Sequence, residues 1–172
     1  MDDILQSASA VLQSTPQRWL QLTQALSTTL LTAAPAPGEW SAAQCLQHLV
    51  DTERWVFPRR VGFLMAGQDF PAFDPDREGS TPDAQQTPGA LAAEFARLRA
   101  EGLRALDGLT PADLTRRARH SELGVVTLGE LLHEWAGHDL MHTVQAERAL
   151  MQPFIRGCGP WQPYFRDHAV TG

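Results

Sequence analysis

The stretch TLGELLHEWAGHDLMH, Thr127 to His142, holds three of the six histidines in the chain. A neutral imidazole can ligate a metal ion or carry a proton, so the first question is which of the three can act together. On an ideal helix each residue advances by about 100°, which puts His138 and His142 about 40° apart on one face, a turn from each other. Leu131, Trp135, Met141, Gln145 and Ala149 fall within about 60° of His138, so the pair sits on the stripe that faces a core. His133 falls about 140° from His138 and about 180° from His142 and is excluded. The HEWAGH string does not match the zinc-protease pattern, which needs its histidines four apart where here the interval is five.

Two histidines make an incomplete site, because zinc-like ions take at least a third protein ligand. Taken alone, such a pair is more often a surface or hydrogen-bonded feature without metal than a ligand pair. His48 stands at the flank of a stripe formed by Leu46, Leu49 and Phe57, a position compatible with facing a neighbouring helix. Cys45, one turn earlier, is the thiol candidate, although a small buried core residue is the simpler reading of it. His120 and His168 fall in irregular segments, where exposure is expected. Glu134, one turn before His138, and Gln145 lie close to the histidine face and are candidates for proton transfer or for orienting a ligand. Asp139 is turned about 100° from His138, and solvent is its expected environment.

Positioning these residues requires helices, and four stretches predict them. Thr15-Pro16 reads as an N-cap and first position, followed by Trp19, Leu22, Leu26 and Leu30. Upstream, Ile4, Ala8, Val11 and Leu12 also repeat at three and four, which leaves open a separate short helix or one kinked continuous helix. WSAAQ opens the second helix with a capping box, Ser41 and Gln44, and Pro58 is expected to bend it. Thr87-Pro88 opens a third helix that runs towards Gly108. Thr127 and Glu130 form a second capping box, with Val126 stapling onto Leu131, and the fourth helix is expected to stop at Pro153. No strand run competes with these four. Residues 66–87 form a proline-rich crossover without periodicity, longer than an ordinary bundle connection and suited to a functional lid or a solvated link. A short helical turn is expected from Thr110, and the Gly- and Pro-rich tail after Arg156 is read as irregular, its aromatics docking on the body. The expected architecture is an all-α four-helix bundle with a long crossover, one domain over residues 1–172.

Bulk composition narrows the partners. With 172 residues, 43% hydrophobic and 20% charged, the chain has ordinary globular proportions, and no run approaches a membrane span. The acidic start MDDILQ does not resemble a secretory signal, so a cytoplasmic location is expected. A net charge of −6 disfavours nucleic acid. Two cysteines cannot build a disulfide framework.

The strings WSAAQCLQHLVDTE and, some ninety residues on, TLGELLHEWAGHDLMHTVQ resemble the DinB-like (YfiT-related) family of small metalloenzymes. Between them, Phe70, Asp74 and Asp76 match that family's F-x-x-x-D-x-D, and His138, Asp139, His142 and Gln145 match its H-D-x-x-H-x-x-Q. The likeness spans most of the chain. It implies a four-helix bundle with a three-histidine metal centre at His48, His138 and His142, holding a divalent ion, zinc or nickel. Some relatives are bacillithiol S-transferases, mycothiol-dependent isomerases belong to the wider superfamily, and members are often dimeric. The resemblance therefore implies a metal-dependent thiol S-transferase or related hydrolase, acting on a small-molecule thiol and an electrophile, as a homodimer. The rival is a non-catalytic helical interaction or stress-response module that keeps its histidines as structural or vestigial ligands.

Overall fold

The structure is a computed structural model, and it describes residues 4–74, 79 and 86–170. Four long helices build the bundle: α1 (Ile4–Ala25), α3 (Ala42–Trp55), α5 (Pro88–Gly102) and α6 (Leu128–Gly157). Each packs against two others, α1 and α3 both touching α5 and α6, so α3 and α6 are neighbours across one wall. Two shorter helices, α2 (Thr28–Thr32) and α4 (Phe57–Ala66), flank the connections. No helix among the described residues is long and apolar enough to cross a membrane.

Both capping boxes form as the sequence predicts, at Ser41 with Gln44 and at Thr127 with Glu130, and Thr87 caps α5. Each box satisfies otherwise orphaned N–H groups at a helix start and so fixes the phase of the helix behind it. That phase is what carries His48 and the His138–His142 pair to their wall. The Pro58 bend is a clean break instead. The α3 helix ends at Trp55, Val56 departs from helical geometry at φ −115° and ψ −79°, and Pro58 lies in the first turn of α4.

Pro16 lies inside one continuous α1, which settles the alternative that the sequence left open. A proline at this position cannot donate to the carbonyl four residues earlier, Leu12. Arg99 Nη1 supplies the missing donor, at 2.9 Å from the Leu12 carbonyl oxygen. Thr15 is therefore no N-cap, and its hydroxyl donates back to the Val11 carbonyl at 2.9 Å.

Four further expectations are corrected. The last helix passes through Pro153 and ends at Gly157, because its final turns are held by the tail: the Gln152 amide donates to the carbonyls of Arg148 and His168 and accepts from Val170 N–H. In the other direction, α5 ends as an α-helix at Gly102 and continues to Leu106 in 3-10 form before turning at Gly108, φ +77°. Two four-residue strands that the sequence reading missed, β1 (Arg117–His120) and β2 (Gly124–Thr127), form an antiparallel hairpin ahead of α6. They are too short for a periodic signal, and Phe70 from the crossover bonds to the outer edge of β1 through Arg119 and Ser121. The tail forms a 3-10 helix, Gly159–Phe165, in which Trp161 and Tyr164 are exposed rather than docked. The expected turn after Thr110 appears as a 3-10 helix at Asp113–Thr115. Asp76 and the middle of the crossover lie outside the described residues.

The core divides into two clusters, one around Leu12, Phe57 and Trp135, the other around Trp19, Leu46 and Phe95. The Arg99 guanidinium lies between them, 4.8 Å from the Phe95 ring centroid and 5.5 Å from that of Trp135. It pairs with Asp139 at 2.6 Å and with Glu53 at 2.9 Å, all three side chains being almost fully buried. Asp139 thus faces inward, contrary to the solvent position expected of it: helical angle gives a direction around the axis, and what stood opposite was a buried cation.

Candidate metal centre

The α3 helix brings His48, and α6 brings His138 and His142, to one place near the surface of their shared wall. One ring nitrogen from each of the three histidines lies within 4.8 Å of the other two, and the three could hold a metal ion. His48 Nε2 and His138 Nε2 are 3.1 Å apart. Two ligands that each approach an ion to about 2.0–2.1 Å must stand about that far from each other, so the donor set fits a zinc-like ion.

Surrounding aromatics fix the rings. Trp40 stacks on His142 with centroids 5.8 Å apart, and Phe57 meets His138 edge-on at 5.1 Å. Phe57 in turn stacks on the buried Trp135 at 5.4 Å. Gln145 Oε1 accepts from His142 Nδ1 at 2.9 Å, which places the ring proton on Nδ1 and leaves the Nε2 lone pair free. Burial lowers the pKa of all three rings, to about 4 for His48 and about 3 for His138, with mutual repulsion adding to the effect at those two. All three are therefore neutral at pH 7, the form that binds metal.

Other predicted residues separate clearly. Glu134 lines the cleft beside the cluster with its side chain half exposed, 3.9 Å from Arg60. His133 and His168 are exposed and away from the cluster. Cys45 is buried in the core around Trp19, where desolvation pushes its thiol up to about 12.

The sequence comparison decides the family: residues 12–146 match the model of the DinB superfamily. The chain belongs to the DinB superfamily. Among solved structures, YfiT from Bacillus subtilis, described as a probable metal-dependent hydrolase with an unusual four-helix bundle topology, is similar over 87% of each chain with a TM-score of 0.72. Sequence identity to it is 19%, and the likeness is one of fold. No curated protein sequence matches this one.

In this DinB-superfamily chain two of the three histidines, His48 and His138, open onto a cleft of about 260 Å³ that runs past Glu134 to Arg60 and His120. Sequence reasoning missed the far end of it. His120 was expected to be exposed, yet it is 5% exposed, buried at the end of β1. Arg60, on α4, gave no signal beyond its place one residue before the buried Val61. Trp40 stands just before the Ser41 cap, the position that lays it over His142.

Proposed function

We propose that His48, His138 and His142 hold one divalent ion, zinc or nickel, and that the chain is a metal-dependent thiol S-transferase or related hydrolase. The observation that carries this reading is the convergence of three neutral imidazoles from two helices at the inner end of a cleft. Neutral ligands leave the ion its full charge, and three protein ligands leave an open position, the pattern of a catalytic site rather than a closed structural one. Bound there, a divalent ion supplies Lewis-acid chemistry, under which a water or thiol loses its proton near neutral pH.

The chain's own residues contribute in separate ways. Gln145 holds the His142 ring in the tautomer that presents Nε2. Glu134 faces the cleft and serves as the proton acceptor, steadied by the Arg60 guanidinium on its far side. Trp40 and Phe57 shield two of the rings from water and so keep them neutral. A low-molecular-weight thiol and an electrophilic acceptor are the proposed substrates, in keeping with a cytoplasmic setting where Cys45 and Cys158 stay as free thiols. The residues 1–172 act as one domain, and the exposed apolar row Leu140, Met141 and Val144 on α6 favours a homodimer.

Metal analysis of tag-free protein tests the centre. About one ion per chain is expected in the parent and none in His142→Ala; equal contents in both would remove the site. A panel of small thiols with electrophilic acceptors then tests the activity, and absence of metal-dependent turnover would favour a non-catalytic module.

A further inference from the structure

The cleft has a second group of polar side chains at the end away from the three histidines. His120 Nδ1 accepts two backbone N–H groups, from Glu122 at 3.2 Å and from Leu123 at 3.3 Å. A ring nitrogen that accepts carries no proton, so the neutral imidazole keeps its proton on Nε2. Burial, and then the adjacent Arg60 charge, lower the pKa of this ring and keep it neutral at pH 7. Its Nε2–H faces Arg60 Nη2 at 3.2 Å, and a guanidinium can only donate. Two donors therefore confront each other at hydrogen-bond distance, with no acceptor between them among the described residues.

Among the described residues, Arg60 is also poorly neutralised for its burial. Its side chain is 11% exposed, and the carboxylate that pairs with it, Glu134, stands 3.9 Å off with half its own surface in water. Phe70 packs against both members of the pair, edge-on to His120 at 5.4 Å and 5.5 Å from the guanidinium carbon. A desolvated cation and a converging neutral donor, walled by an aromatic ring, call for an acceptor with negative charge.

We propose that Arg60 and His120 form an oxyanion subsite that binds a carboxylate or phosphate group on a small molecule entering the cleft. The forked guanidinium takes one or two of the oxygens, and His120 Nε2–H takes another. Glu122 and Glu134 line the same cleft, and Glu130 lines an adjoining cavity with Arg60, His120 and Glu134, its carboxylate engaged by Thr127. These acids work against any general gathering of anions, so selection falls to the two directed donors. That the anion is a substituent of the substrate rests on the metal-dependent reading of this cleft; the binding itself does not.

An NMR titration of tag-free protein, metal-free and zinc-loaded, with acetate, inorganic phosphate and the neutral isostere acetamide tests the proposal. The ring nitrogen signals of His120 are expected to show the Nε2–H tautomer and to shift with one or both anions, not with acetamide. Response to acetate alone assigns a carboxylate, and response to phosphate alone a phosphoryl group. Arg60→Gln should weaken the anion about tenfold or more, Arg60→Lys less, and both should keep the parent's metal content. Anions binding no better than acetamide, undiminished binding in Arg60→Gln, or a Nδ1–H tautomer at His120 would overturn it. The two readings fail separately: anion binding in a protein that takes up no zinc upholds the subsite against the metal centre, and zinc uptake without anion binding does the reverse.

Discussion

Gln145 determines which nitrogen of His142 is available, because an amide oxygen can only accept and so draws the ring proton to Nδ1. Replacing it with leucine leaves that N–H without its partner and the ring free to turn. Gln145→Leu is expected to weaken ion binding about 10–100-fold while the metal-free protein melts as the parent does. Chelator competition measures the first and a thermal scan the second; Gln145→Glu, which keeps the acceptor, should retain tight binding. An affinity unchanged in the leucine variant would mean that Gln145 plays no part in orienting the ring. The proximity of Gln145 to His142 is legible in the sequence, since residues three apart share a helix face. The angle of about 100° from His138 misplaced Asp139, whose environment is set by Arg99, 40 residues earlier on another helix.

At the scale of whole elements, α1, α3, α5 and α6 meet at one buried guanidinium. Arg99 on α5 bonds the Leu12 carbonyl of α1, Glu53 of α3 and Asp139 of α6, while Trp135 of α6 donates its indole N–H to Glu53 at 3.2 Å. Burial pushes the Glu53 carboxyl up, against the pull of Arg99. Arg99→Leu removes the cation and strands two carboxylates, and a loss of about 3–5 kcal/mol is expected. Part of that loss belongs to Leu12, whose carbonyl has no helical donor because residue 16 is proline. Pro16→Ala restores the N–H, so in the Arg99→Leu background it should return about 1 kcal/mol more than it does in the parent. Urea unfolding of the four proteins measures this coupling, and strict additivity would mean that the guanidinium does not stand in for the missing amide. These junctions explain which parts of the fold could be read in advance. Helix starts at Ser41, Thr87 and Thr127 depend on residues three or four apart, so they are visible in the chain. The hairpin pairs near neighbours, but its strands are too short to leave a periodic signal; the passage of α6 through Pro153 and the burial of His120 depend on partners brought from farther along the sequence, and no local pattern records them.

Across the molecule as a whole, folding takes three imidazoles out of water, and that fixes how stability answers to pH. An unfolded histidine titrates near 6.5. Folded His48 is held at about 4 and His138 at about 3, chiefly by burial. Between those values and 6.5 the unfolded chain binds protons that the folded one refuses, so this contribution is full above pH 6.5 and declines as the pH falls towards 4 and 3. Glu53 acts in the opposite sense. Its raised pKa lets the folded state take a proton first, which favours folding as the pH falls, so the histidine effect is isolated by comparison with His48→Asn. The metal-free parent should lose melting temperature from about pH 7.5 to about 5.5 more steeply than this variant. Ion binding should behave differently, because competition from protons is governed by the folded values. The rise in melting temperature on adding zinc should therefore hold nearly constant over that range and decline only as the pH approaches 4. Ligands exposed to solvent would instead lose the ion through a step near 6.5. Thermal scans at fixed ionic strength, with and without zinc, distinguish the two profiles, and a step near 6.5 would place the ion on histidines other than these three.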